Sequence, residues 1–330
     1  MRISLAMCTY NGARYLQEQL ESFASQSLLP DELVVCDDGS TDGTPGVLDD
    51  FASRARFPVR IFRNKENLGY VRNFAQSISL CVGDIIALSD QDDFWYPNKL
   101  SQLSAAFERT ESIGGIFSDG ELMDEESCPV SGSLWRSFKF NASEQHCFRS
   151  GDPLGVLLRR NVATGMTLAF RSKFRARLLP IPPSWEHDSW IAILLVLYSR
   201  LEFDRDRLVR YRVHRHQEIG VPLTRSKKLQ GILTRGPLFF LAQARLRNED
   251  IYRRFAKRFD DLAAYLSEDK EMAGGAAYAE IEARARFSHE ALAALSLPRA
   301  TRGKEALRQI EGYRRFAIGG ARDMLRDLIL

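Results

Sequence analysis

The sequence predicts an α/β fold, a Rossmann-like, doubly wound mixed sheet, followed by a helical C-terminal region. Three observations carry this. Apolar strand-like runs alternate with helix-periodic segments through the first hundred residues. An acidic cluster, Leu88-Ser89-Asp90-Gln91-Asp92-Asp93, ends one of those runs. Beyond residue 225 the alternation stops, and apolar residues recur at spacings of three and four.

In chain order, residues 2–8 read as a strand, and 13–25 as a helix through Tyr15, Leu16, Leu20 and Phe23. Residues 32–36 form a second strand, which ends in the polar turn Asp37-Asp38-Gly39-Ser40-Thr41-Asp42-Gly43. Such a turn can cap a following helix. Residues 59–62 read as a strand, 70–79 as a helix and 84–88 as the strand that feeds the acidic cluster. Repeated β–α units imply largely parallel strands whose C-terminal ends form a binding edge. Residues 114–117 add a strand, and a polar loop is expected from there to about Gly151. In the C-terminal region Ile251, Tyr252, Phe255, Phe259, Leu262, Ala263 and Leu266 make an amphipathic helix, with Arg253, Arg254, Lys257 and Arg258 between them. Breaks at Gly274-Gly275 and Leu297-Pro298 divide this region into about three helices. Residues 1–225 are expected to form one domain and 226–330 a basic helical appendage.

Hydrophobic residues make up 45% of the 330, charged residues 27% and the net charge is +3, values ordinary for a globular chain. The charge is uneven. Residues 1–225 hold 26 Lys and Arg against 29 Asp and Glu, whereas 226–330 hold 20 against 14. A basic surface there suits an anionic partner such as membrane lipid, and a solvated helix surface is the plainer alternative. No nucleic-acid-binding motif is present. Five cysteines without a CxxC pair point to a reducing compartment. The chain enters its first strand with no signal peptide, and its longest apolar run, residues 190–198, is too short to span a bilayer. A cytoplasmic protein is expected, peripheral at the inner face of the plasma membrane.

Carboxylates as close as Asp90, Asp92 and Asp93 raise one another's pKa unless a cation neutralises them. A divalent Mg²⁺ or Mn²⁺ carrying a diphosphate does so. A solvated acidic turn is the alternative. Taken together, Cys8-Thr9-Tyr10-Asn11-Gly12, Cys36-Asp37-Asp38-Gly39-Ser40-Thr41-Asp42, Asn67-Leu68-Gly69 and Ser89-Asp90-Gln91-Asp92-Asp93 resemble the family 2 glycosyltransferases of GT-A fold over roughly residues 1–220. The run from Asp90 to Leu100 looks most like bacterial rhamnosyltransferase-type members that build surface polysaccharides.

That resemblance implies a metal-dependent, inverting transfer of a sugar, L-rhamnose on this wording, from a dTDP- or UDP-sugar to a saccharide acceptor, lipid-linked in such pathways. It places Asp92 on the metal, with Asp90, Asp93 and His214 as further candidates. It places Thr9, Asn11, Asp38 and Ser40 around the nucleotide, with Asp38 accepting the imide N–H of the base. Asn67, Gly69 and Arg72 would support the ribose and diphosphate. Gly165, in Thr164-Gly165-Met166-Thr167, would lie against the donor sugar. Asp188, in Trp185-Glu186-His187-Asp188-Ser189-Trp190, takes the position of the catalytic base, while a helix-capping aspartate is the alternative. Trp185, His187 and Trp190 would line the acceptor side. Tyr211-Arg212-Val213-His214 resembles the segment whose histidine reaches the metal, and His216 could share that face. Gln217 and Arg215 depart from the family's wording. A nucleotidyltransferase would usually show a Gly-rich basic phosphate loop after the first strand, and Met7–Arg14 has one Gly and one Arg. A non-catalytic binding module would lack the acidic cluster or the base.

Overall fold

Strands β1 (Ile3–Thr9), β2 (Glu32–Asp37) and β4 (Ile85–Ser89) are buried along their whole length, which is why they read as continuous apolar runs rather than as alternation. The computed structural model describes residues 1–214, 217, 237–297, 299–317 and 324, with side chains left aside at 237–247, 299, 300 and 303. These fall into two compact units, Met1–Pro153 with Asn161–Val221, and Leu154–Arg160 with Pro222–Leu330.

In the first unit β1 pairs in parallel with β2 and β4, and β2 with β3 (Val59–Arg63). Three helices make the crossovers: α1 (Ala13–Ala24), α2 (Thr44–Arg54) and α3 (Tyr70–Leu80). Beyond β4 comes β5 (Phe94–Trp95), then α4 (Lys99–Arg109). The second half of the sheet contains β6 (Ile113–Met123), β7 (Pro129–Ser133), β8 (Ala169–Arg171) and the 13-residue β9 (Arg200–Arg212). The sheet is mixed, with order β3-β2-β1-β4-β8-β6-β9-β5. The short β8 runs antiparallel to both β4 and β6, and β5 antiparallel to β9, so parallel pairing holds among β1 to β4 and between β6 and β9 but not across the whole sheet. Pairing of β8 with β4 also brings the turn Gly165–Thr167 beside the acidic motif, and Leu88 N–H donates to the Leu168 carbonyl at 3.0 Å.

The polar loop expected after Phe117 is instead structured. β6 continues to Met123, pairs with β7, and is followed by α5 (Leu134–Ser137) and α6 (Ala142–Arg149). Phe117, Trp135, Phe140, Phe148 and Phe203 form one aromatic cluster with ring centroids 5.1–6.0 Å apart. Aromatic rings bury large areas each, so a few of them build a core inside a mainly polar stretch. The unit closes with α8 (Arg175–Leu178) and α9 (His187–Tyr198).

The second unit consists of α7 (Pro153–Arg159), α10 (Pro237–Ser267), α11 (Ala276–Leu295), α12 (Arg299–Arg308) and α13 (Ile310–Phe316). The stripe Tyr252, Phe259, Leu262 and Leu266 is buried as core, and Arg253, Arg254 and Lys257 stay exposed. Arg284 is buried in this core, stacked among Phe255, Phe259, Phe287 and Phe316, and donates to the Leu158 carbonyl at 2.9 Å. The α7 segment thus belongs to the helical unit although it lies within residues 1–225. No helix among the described residues is long and apolar enough to cross a membrane.

Candidate active site

The C-terminal ends of β1, β2 and β4, the start of α9 and the end of β9 carry the residues singled out from sequence. They form two polar groups, both within the first unit.

The first group lies at the ends of β1 and β2 and is organised by two carboxylates. Asp37, buried, accepts from Thr9 Oγ1 at 2.7 Å, from Ser40 Oγ at 2.5 Å and from Ser40 N–H at 3.1 Å. Ser40 Oγ in turn accepts from Asn11 N–H, and Asn11 Oδ1 accepts from Thr41 N–H, both at 2.9 Å. Asn11 sits at φ +47°, a conformation asparagine tolerates. Asp38 is engaged by the turn that precedes α3. It is 2% exposed and accepts from Asn64 Nδ2, Leu68 N–H and Gly69 N–H at 2.9–3.0 Å. The turn before α3 leaves orphan donors, and a buried carboxylate satisfies them. Gly69, at φ +83°, completes that turn with Asn67 Oδ1, which also accepts its N–H. Asn67 and Arg72 are exposed. Asp37 was not assigned a role from sequence because adjacent aspartates in a turn do not reveal which one faces inward.

The second group is the acidic centre. Asp92 Oδ2 lies 2.7 Å from His214 Nε2, joining the motif after β4 to the end of β9. Burial pushes the Asp90 carboxyl up to about 8, and the charges of Asp92 and Asp188 add to it. Asp188, in the first turn of α9, is pushed up to about 6 by burial and then by Glu186. Its Oδ2 accepts from Gly165 N–H at 3.0 Å and its Oδ1 from Ser189 N–H at 2.6 Å, so it also caps a helical donor. Asp93 is fully buried beside Asp92 and Asp90; its Oδ1 accepts from Arg212 N–H at 3.0 Å, and its Oδ2 makes no hydrogen bond among the described residues.

The structure buries the residues expected on the acceptor side, Trp185, His187 and Trp190, and packs His187 against Gly165. Trp190 is fully buried with Nε1 donating to the Leu178 carbonyl, and Trp185 packs against it edge-on, so neither presents a face to a sugar. His187 is buried and stacks on Phe74 with centroids 3.7 Å apart. Space above Gly165 is filled by this ring: a Cβ there would lie 2.8 Å from His187 Nε2. Glycine is needed at 165 for the histidine's approach. An apolar-facing position one turn into a helix buries a Trp for the same reason it buries a Leu.

Arg212, given no role from sequence, ties the acidic centre together. Its buried guanidinium donates to the Asp92 carbonyl at 2.7 Å, to Ser127 Oγ at 2.9 Å and to Glu18 Oε2 at 2.5 Å, and lies over the Tyr15 ring. His216 and Arg215 lie outside the described residues.

An oxygen and an imidazole donor in contact, with two more carboxylates near, suit a hard divalent cation. Among the described residues no three His, Cys, Asp or Glu form a group that could hold a metal ion by themselves.

Residues 4–149 match the glycosyl transferase family 2 model. The chain carries a glycosyl transferase family 2 domain. It is 27% identical over 222 residues to an uncharacterized glycosyltransferase of Nostoc sp., covering 65% of each chain. It is 35% identical over 115 residues to the abequosyltransferase RfbV of Salmonella typhimurium, covering 34% of each. The match therefore spans about two-thirds of the first relative and a third of the second. Among solved structures, S. aureus TarS 1-349 in complex with UDP-GlcNAc aligns over 96% of this chain and 81% of its own, with a TM-score of 0.56 at 15% identity. This likeness shows the GT-A fold of the glycosyl transferase family 2 domain.

Proposed function

We propose that this chain is an inverting, metal-dependent glycosyltransferase that moves a sugar from a UDP- or dTDP-sugar to a saccharide acceptor in surface polysaccharide synthesis. The observation that carries it is the convergence of the Asp92–His214 pair, Asp90 and Asp188 at one sheet edge. Asp92 and His214 would hold Mg²⁺ or Mn²⁺, which when bound supplies counter-charge to the departing diphosphate. Burial and the neighbouring Asp92 and Asp188 push the Asp90 carboxyl up, and a bound cation would favour its charged form.

Asp188 is the base. Its carboxylate takes the acceptor hydroxyl proton as that oxygen attacks the anomeric carbon from the side opposite the diphosphate. The N–H groups of Gly165 and Ser189 hold it in place without neutralising it. Thr9, Asn11 and Ser40, organised by Asp37, shape the nucleotide side, and Asp38 shapes the Asn67–Gly69 turn. The wording of residues 90–100 favours L-rhamnose as the sugar. A lipid-linked acceptor suits the exposed Arg253, Arg254 and Lys257 of α10, which would meet an anionic leaflet.

The test is a panel of dTDP- and UDP-sugars with Mn²⁺, read by donor hydrolysis and by the anomer of the transferred sugar. Turnover that disappears in chelator and in Asp92→Asn, with an inverted product, supports the reading. Full activity in excess chelator, or a retained anomer, overturns it.

A further inference from the structure

We propose that Gln91 is a positioning residue that ties the loop after β1 to the acidic motif after β4, holding the nucleotide side and the diphosphate side of the donor site in register. This rests on the glycosyltransferase reading above. The parallel ladder between β1 and β4 ends at the Met7–Ser89 pair. Beyond it the two chains leave the sheet, and the Gln91 side chain carries the connection onward. Its Oε1 accepts from Tyr10 N–H at 2.8 Å, and its Nε2 donates to the Tyr10 carbonyl at 3.1 Å. A primary amide offers the same donor and acceptor as a peptide group, so the side chain continues the ladder where the backbone has departed.

Gly12 makes this possible. A Cβ at Gly12 would lie 2.1 Å from Gln91 Oε1 and 2.3 Å from its Cδ. The glycine is at φ −106°, so space for the amide, and not backbone conformation, calls for it. With both its backbone groups engaged, Tyr10 stays exposed beside the polar network of Asn11 and Ser40. On the other side Gln91 sits between Asp90 and Asp92 in the chain. The amide therefore sets how far the first loop stands from the two carboxylates that face the diphosphate.

The test compares UDP affinity, by calorimetry with Mn²⁺, for the full chain and for Gln91→Ala, Gln91→Glu, Gly12→Ala and the Gly12→Ala/Gln91→Ala double variant. Two hydrogen bonds are at stake, so Gln91→Ala should bind UDP roughly tenfold more weakly. Gln91→Glu keeps the shape but cannot donate to the Tyr10 carbonyl, and should lose nearly as much. Gly12→Ala acts by evicting the amide and should match Gln91→Ala. The double variant should then be no weaker than the worse single one, because only one interaction exists to lose. Melting temperatures close to that of the parent would separate positioning from unfolding. Unchanged UDP affinity in Gln91→Ala, or losses that multiply in the double variant, overturn the coupling alone. A parent chain that binds neither UDP nor dTDP overturns the functional reading, and this inference with it.

Discussion

Asp188 is held by two backbone N–H groups in a buried position, and its role follows from what that environment does to a carboxyl. Burial pushes it up to about 6, so near neutral pH it is deprotonated yet basic enough to accept a proton in the transition state. The proposed base works only in its charged form. Activity should therefore rise with pH through about 6 and level off above, measured as kcat/KM with saturating metal. Asp188→Asn keeps the shape and the capping bond but removes the acceptor. Transfer should fall by roughly 10²–10⁴-fold while UDP affinity changes little. Near-normal transfer in Asp188→Asn would leave the residue as a helix cap and nothing more.

The end of β9 gathers parts that lie far apart in sequence. Arg212 bonds α1 through Glu18, the β6–β7 hairpin through Ser127 and the acidic motif through Asp92, and two residues later His214 meets the Asp92 side chain. A buried guanidinium is tolerable only with its donors satisfied, and removing it strands each of those acceptors. Arg212→Met should lower stability by about 3 kcal/mol in urea unfolding. Arg212→Lys, which keeps charge but not the planar fork, should still weaken metal-dependent UDP binding. A Lys variant with unchanged UDP affinity would mean that the charge alone, and not the fork, places Asp92. The tie was not legible beforehand because an arginine in an alternating strand looks solvent-facing, and the strand's burial comes from a hairpin that read as loop.

Acid should act on the fold as a unit through His187. Burial pushes its imidazole down to about 3 from an ordinary 6.5, so the folded chain refuses a proton that the unfolded chain accepts. Its stabilising contribution is complete above pH 6.5 and is lost as pH falls from there toward about 3. His187→Asn should therefore flatten the decline in melting temperature between pH 6.5 and 4, and an identical decline in both proteins would assign acid sensitivity elsewhere. The helical unit gives a separate expectation. The chain should float with anionic vesicles but not neutral ones, with binding weakened by salt and by charge reversal at Arg253, Arg254 and Lys257. Equal binding to both vesicle types, or none, leaves α10's basic face as solvated surface.

By itself the sequence determined the α/β order and the strands β1 to β4, and its resemblance to the glycosyltransferases pointed to Asp92, His214 and Asp188, which the structure brings to one sheet edge. Fully buried strands need apolar runs, and a strand's exit delivers its next polar residues to one edge, so both are written locally. Tertiary structure alone decided which way those side chains face. Asp37 and Asp38, or Asp92 and Asp93, are neighbours of the same type, and only packing decides which partners each carboxylate takes. His187 and Trp190 went inward because α9 packs along its apolar face, and Trp185, just before the helix, follows by packing on Trp190, which a motif cannot reveal. The antiparallel β8, the aromatic cluster behind β6 and the Arg212 and Gln91 ties depend on contacts across tens of residues. Periodicity reports only near neighbours, and such contacts exist only once the chain has closed on itself.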